Sequence, residues 1–147
     1  MLTLAVLGLS TRGAPLKGPY ATQHSKMTMP DPLPRHIDVY FPLNASQPLR
    51  FLSFAHGAEG GWAILPIVYT SLLHSLASWG YVVAATRACI MGSNVPCHYH
   101  EHQLSVIDWA RAEAAKGTPP FALANLSTVG IAGHSMGGEA TLYNSEA

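Results

Sequence analysis

The stretch Gly133-His134-Ser135-Met136-Gly137-Gly138 has the make-up of a nucleophilic serine on a tight turn. The apolar run "TVGIAG" at 128–133 leads into it, and the helix-capable "MGGEATLYN" follows from 136. A strand running straight into a helix forces the connecting residue into a strained turn. Glycines at 133 and 137 let neighbouring backbone pass there without Cβ clashes. Ser135 would then project at a helix N-terminus, where the N–H of Met136 is free and faces developing negative charge. Such a site suits acyl transfer, with attack on a carbonyl, a tetrahedral oxyanion and a covalent acyl intermediate. The bland alternative is a glycine-rich turn with a passive serine; the flanking strand and helix weigh against it.

A second oxyanion donor has to come from the loop after the first buried parallel strand. "FAHGAEGGW" supplies one: His56-Gly57 ends the strand, Ala58 offers its N–H, and small residues at 57, 58, 60 and 61 admit a substrate carbonyl. Trp62, just beyond, either contacts an acyl group or packs, and Trp79 reads as core. "CHYHEH" at 97–102 brings together Cys97, His98, His100 and His102. On a helix only His98 and His102 share a face, so the segment reads first as a polar helix start and second as a metal site. Neither a metal nor an organic cofactor is expected. Cys89 and Cys97 are candidates for one loop-closing disulfide.

The elements that must carry these residues follow from periodicity. Residues 1–22 read as a leader or disordered N-terminus, and residues 23–147 as one domain. Residues 23–29 and 36–43 form a hairpin, the second strand alternating Ile37, Val39 and Phe41 against Asp38 and Tyr40. Residues 49–57 form a more buried strand. A helix over 65–79 presents Val68, Leu72, Leu76 and Trp79 as its apolar face and stops at Gly80. "YVVAAT" at 81–86 is a strand buried on both faces, followed by a loop over 87–97. A helix over 100–115 turns Leu104, Ile107 and Ala110–Arg111 to one side and ends at Gly117 with Pro119-Pro120. Strand–helix alternation after a hairpin predicts an α/β architecture with right-handed parallel crossovers.

"FAHGAEGG", "LLHSLASWGYVVAAT" and "STVGIAGHSMGGEATL", in that order, resemble the α/β-hydrolase superfamily. The nearest branch is the cutinase, polyester hydrolase, dienelactone hydrolase-like and chlorophyllase-like group. The resemblance runs over roughly residues 35–147, and the Gly-His-Ser-Met-Gly-Gly block is its most specific part. It implies a mostly parallel sheet with flanking helices and a serine esterase of carboxylesterase, lipase or cutinase type. Ser135 would be the nucleophile, and the backbone N–H groups of Ala58 and Met136 the oxyanion hole. Dienelactone hydrolases proper use cysteine where this chain has serine. In this superfamily an acid and then a histidine follow the serine, yet all 8 histidines here precede Ser135. Downstream acids are Glu139, on the nucleophile's own helix, and Glu146. The sequence therefore reads as the N-terminal part of such a hydrolase, cut after the nucleophile turn and with little turnover of its own. The alternative is a non-catalytic chain that binds an ester or a partner.

Bulk properties bound the rest. The 147 residues suffice for one domain with a sizeable core, 48% being apolar and 11% charged. Net charge is zero with histidines neutral, so nothing points to nucleic acid as a partner; a small-molecule or polymeric ester is the expected one. No apolar run reaches the roughly 20 residues that span a bilayer. The run Leu2–Leu9 is short for a signal peptide. With the Asn44 and Asn125 glycosylation triplets and the cysteine pair it leans towards export, the cytoplasm being the other choice.

Overall fold

The computed structural model describes residues 17–30, 35–57, 68–87 and 98–146. Their elements are β1 (Thr22–Met29), β2 (Arg35–Pro42), β3 (Leu49–Ala55), α1 (Thr70–Ser78), β4 (Tyr81–Thr86), α2 (Tyr99–Ala115), β5 (Ala124–Gly133) and α3 (Met136–Ser145). Five strands make one sheet in the order β1-β2-β4-β3-β5. The β1–β2 hairpin is antiparallel and β2 meets β4 antiparallel, whereas β3 runs parallel to both β4 and β5. The β-branched and small apolar residues of β4 are buried from Val82 to Thr86, as a strand covered on both faces requires.

One apolar layer lies under α2, where Ile37, Phe51, Val82, Val106, Trp109 and Phe121 pack together. The other lies under α1 and holds Tyr40, Leu52, Phe54, Tyr69, Leu73 and Val83. Full burial of a side chain such as Leu73 stabilises by about 1.5–3 kcal/mol.

Three sequence expectations need correction. Asp38 and Tyr40 do not face solvent: they are 0% and 1% exposed. β2 is an interior strand, and α1 covers the face that the alternation assigned to water. Asp38 pairs there with the Arg87 guanidinium (Nη2–Oδ1 2.9 Å) and with His24 Nε2 at 2.6 Å, because a carboxylate taken out of water needs such partners. Secondly, α1 buries Leu73 and Ala77, with Tyr69 buried just before it, rather than the expected stripe; Val68, Leu72 and Trp79 are 59%, 43% and 48% exposed. Both stripes fit a 3.6-residue period, and only the sheet decides between them. Thirdly, on α2 the buried side is Gln103, Val106, Ile107 and Ala110, while Leu104 and Arg111 face out.

Between α1 and β5 lies an open apolar groove of ≈ 630 Å³, walled by Leu76, Trp79, Tyr81, Leu52, Val129 and Ile131. No helix among the described residues is long and apolar enough to cross a membrane.

Candidate active site

β5 delivers the chain to Ser135 and α3 carries it away. Ser135 adopts φ 54° and ψ −123°, a conformation that costs an L-residue about 1–3 kcal/mol and persists only when its surroundings enforce it. The surroundings do so through backbone contact. A methyl group on Gly133 would sit 2.2 Å from the Gly137 carbonyl oxygen, and one on Gly137 would sit 2.3 Å from that of Ala55 and 2.5 Å from that of His56. Both positions therefore admit only hydrogen, and the strand end, the first turn of α3 and the end of β3 close on one another.

A buried polar clasp holds this junction from below. Gln103 of α2 donates to the Ala132 carbonyl (3.0 Å) and to Thr141 Oγ1 (2.9 Å), and Thr141 donates to the Gly137 carbonyl (2.8 Å). Asn144 donates to Gln103 Oε1 (2.9 Å) and to the His100 carbonyl (3.0 Å). Ser53 of β3 donates to the Gln103 carbonyl at 2.8 Å. Among the described residues every buried side-chain nitrogen and oxygen has a partner. The clasp thus fixes the helix to the strand without leaving a desolvated group unpaired.

Gly57, at the end of the β3 segment, lies against the turn. A methyl built on it would be 3.1 Å from Ser135 Cβ and 3.1 Å from His134 Nδ1. Its N–H donates to Tyr69 Oη at 3.1 Å, and Tyr69 Oη also meets His134 Nδ1 at 2.8 Å. Its carbonyl accepts from Tyr99 Oη at 3.4 Å and lies 2.6 Å from His56 Nδ1. Burial, and secondarily the Tyr69 phenol, pushes the Tyr99 hydroxyl above the usual tyrosine range, so it stays a donor.

Ser135 is exposed and makes no side-chain cap to its own helix, which leaves Oγ for a substrate. Met136 begins α3 beside it. Tyr99, His100, Met136, Glu139 and Tyr143 line a depression of ≈ 330 Å³ next to the turn. His134 is exposed, and its Nδ1 meets Tyr69 Oη. His56 is fully buried with its ring on the Gly57 carbonyl.

Ala58, Trp62, Cys89 and Cys97 lie outside the described residues. Of the histidine run, His102 is buried, contrary to a wholly solvated helix start, while His98 and His100 are partly exposed, with side chains at 49% and 42%. Among the described residues no group of three or more His, Cys, Asp or Glu is placed to hold a metal ion. Sequence reasoning did not find Tyr69, Tyr99, Gln103, Thr141 or Asn144. The polar Gln103 and Asn144 at inward helical positions were the available signal.

A family model described as Chlorophyllase matches residues 13–143. The comparison with curated proteins returns no match. Among solved structures the chain is similar to brefeldin A esterase, a bacterial homologue of human hormone-sensitive lipase, at 20% identity and TM-score 0.58, over 96% of this chain and 37% of that one. DphMB1 is similar at 22% identity and TM-score 0.64, over 88% and 40%. A protein from Klebsiella pneumoniae subsp. pneumoniae MGH 78578 bearing the designation dienelactone hydrolase is similar at 18% identity and TM-score 0.61, over 84% and 54%. At such identities the likeness is one of fold, and the chain spans between 37% and 54% of the length of those structures.

Proposed function

Since the chain belongs to the chlorophyllase family, within the α/β-hydrolase superfamily, we propose that it carries the nucleophile and oxyanion-binding half of a serine ester hydrolase. Residues 23–147 are the N-terminal part of that hydrolase domain. Ser135 Oγ attacks the ester carbonyl, and the negative charge that develops on the carbonyl oxygen is met by the N–H groups of Met136 and Ala58. The alcohol leaves with a proton, an acyl-enzyme remains on Ser135, and water releases the acid. No cofactor enters this scheme. The depression edged by Tyr99, Met136 and Tyr143 suits an apolar or aromatic portion of a small-molecule or polymeric ester.

The observation that carries this reading is the strained Ser135 on a turn closed by Gly133 and Gly137, with Gly57 so near that a methyl on it would stand 3.1 Å from the Ser135 Cβ. A base is still required to take the serine proton. The His134 and His56 rings are engaged by Tyr69 and by the Gly57 carbonyl, and every other histidine also precedes Ser135 in sequence. In this fold the acid and base follow the nucleophile in sequence.

An active-site-directed fluorophosphonate tests the proposal. An adduct mapped to Ser135 and abolished in Ser135→Ala supports it. Ester hydrolysis by the natural protein with Ser135→Ala as active as wild type would refute it. The open groove between α1 and β5 favours one other reading, a non-catalytic chain that binds a ligand or partner. That reading predicts no adduct under any condition.

A further inference from the structure

The depression beside the turn has one wall from each of two helices. Met136, Glu139, Ala140 and Tyr143 stand three and four positions apart along α3 and so share one of its faces. Tyr99 and His100, at the start of α2, supply the other wall, and the His100 ring meets that of Tyr143 edge-on at 5.0 Å. Tyr143 is 65% exposed and Glu139 is exposed as well, so both ring and carboxylate are open to a ligand. A helix rises about 1.5 Å per residue, which puts Glu139 about 6 Å and Tyr143 about 12 Å along the axis from Ser135.

Charge is spread unevenly along a chain that is neutral overall. Residues 1–50 hold five Lys and Arg against two Asp and Glu, and residues 51–147 hold three against six. The three cations of the longer stretch, Arg87, Arg111 and Lys116, are engaged by Asp38, Asp108 and Glu113. Glu139 has no Lys, Arg or His partner among the described residues, and the segments 58–67 and 88–97 contain no Lys or Arg. A neutral apolar group laid over this wall would strip water from the carboxylate and return nothing. An ammonium group returns a counter-charge to Glu139 and lies against tyrosine rings, whose faces attract cations. Resting on the esterase reading above, we infer that Glu139 and Tyr143 are specificity-determining residues: the ester taken by Ser135 carries an ammonium group about one to two helical turns from its carbonyl. Glu139, in the first turn of α3, also suits the helix dipole; that role concerns stability and does not distinguish a charged ligand from a neutral one.

The test compares choline with the uncharged alcohol in which a tert-butyl group replaces its trimethylammonium group. Binding of each to the 147-residue chain is read from NMR amide shifts along α3, and this readout needs no reaction at Ser135. Choline is expected to bind about threefold to tenfold more tightly, from an exposed ion pair and a cation–ring contact together. Glu139→Gln should bring that ratio close to one, and Tyr143→Leu should lower it about twofold. Glu146→Gln removes an exposed acid just past α3 and outside the depression, and should leave the ratio as it is. The second readout is labelling of Ser135 by two fluorophosphonates, one with a trimethylammonium tail and one with a tert-butyl tail. The charged reagent should react faster by a similar factor, a lead lost in Glu139→Gln and reduced by high salt. Equal binding of the two alcohols overturns the inference, as does a ratio that survives Glu139→Gln or falls as far in Glu146→Gln. Equal labelling by the two reagents overturns it too. A wild type that neither reagent labels refutes the esterase reading instead, and the binding readout still decides the ammonium site.

Discussion

The turn at Ser135 and the groove between α1 and β5 are built from the same strand, yet they are finished to different degrees. At the turn, strand end, helix start and neighbouring strand approach until an added methyl would stand 2.2–2.3 Å from a carbonyl oxygen. Beneath it Gln103, Thr141 and Asn144 join the Ala132 and Gly137 carbonyls in one hydrogen-bonded network. At the groove, Trp79 is 48% exposed above a wall of Val129 and Ile131. Among the described residues nothing covers it. The turn is determined by contacts made locally and between adjacent elements. The groove leaves apolar surface that no described element covers. The difference teaches that the turn at Ser135 can be closed by contacts among the described elements while the surface beside it is not.

The sharpest way to break that contrast is Gly137→Ala. The new methyl has only backbone to displace, so a loss of about 3 kcal/mol or more is expected, read as a fall in the urea midpoint. A normal midpoint would mean the turn is looser than described. Next comes Gln103→Leu, which leaves Asn144, Thr141 and the Ala132 carbonyl short of a partner. It should destabilise by about 1–3 kcal/mol, with faster amide exchange in the first turn of α3. A change below measurement would show that the clasp is ornamental. On the outer face of α1, Leu72→Ser should stay within about 0.5 kcal/mol; a loss as large as that of Gln103→Leu would show that the face is covered after all. The smallest effect concerns His74. Burial, then the neighbouring His24, lowers its pKa below the usual histidine value. The neutral form is favoured in the folded state, so its contribution is present above the unfolded histidine range and is lost as pH falls through the lowered folded value. Stability measured between pH 7 and 5 should decline more in wild type than in His74→Gln.

The sequence carried the fold further than it carried the site. Element types from β1 to α3 follow from period-two and period-3.6 patterns bounded by Gly and Pro, and the α/β sheet with flanking helices agrees with the superfamily resemblance. The face of α1 was not legible, because Leu72-Leu76-Trp79 and Tyr69-Leu73-Ala77 are equally good stripes, and only the sheet's shape selects the second. Asp38 misled for a related reason: alternation cannot distinguish an interior strand from an edge when a carboxylate finds Arg87 and His24 across space. At the site, Gly133, Ser135 and Gly137 stood out because turn chemistry is written in consecutive residues. Tyr69 and Tyr99 did not, since their common partner Gly57 is 12 and 42 positions away. Ala58, the expected second oxyanion donor, and Cys89 and Cys97 fall outside the described residues.

Ala55 pairs with Gly133 across parallel strands, and the His134 N–H donates to the Ala55 carbonyl at 3.1 Å. The chain after β3 and the turn at Ser135 therefore leave the sheet from the same rung of one ladder. Their separation is gauged by the inter-strand repeat of about 4.8 Å, a dimension set by backbone hydrogen bonds and blind to side-chain identity. Loops above the rung can lengthen, shorten or change composition without altering that gauge. On the proposed esterase reading, a lineage could thus exchange one ester for another by editing loops alone, the sheet keeping the Ser135 turn beside the end of β3.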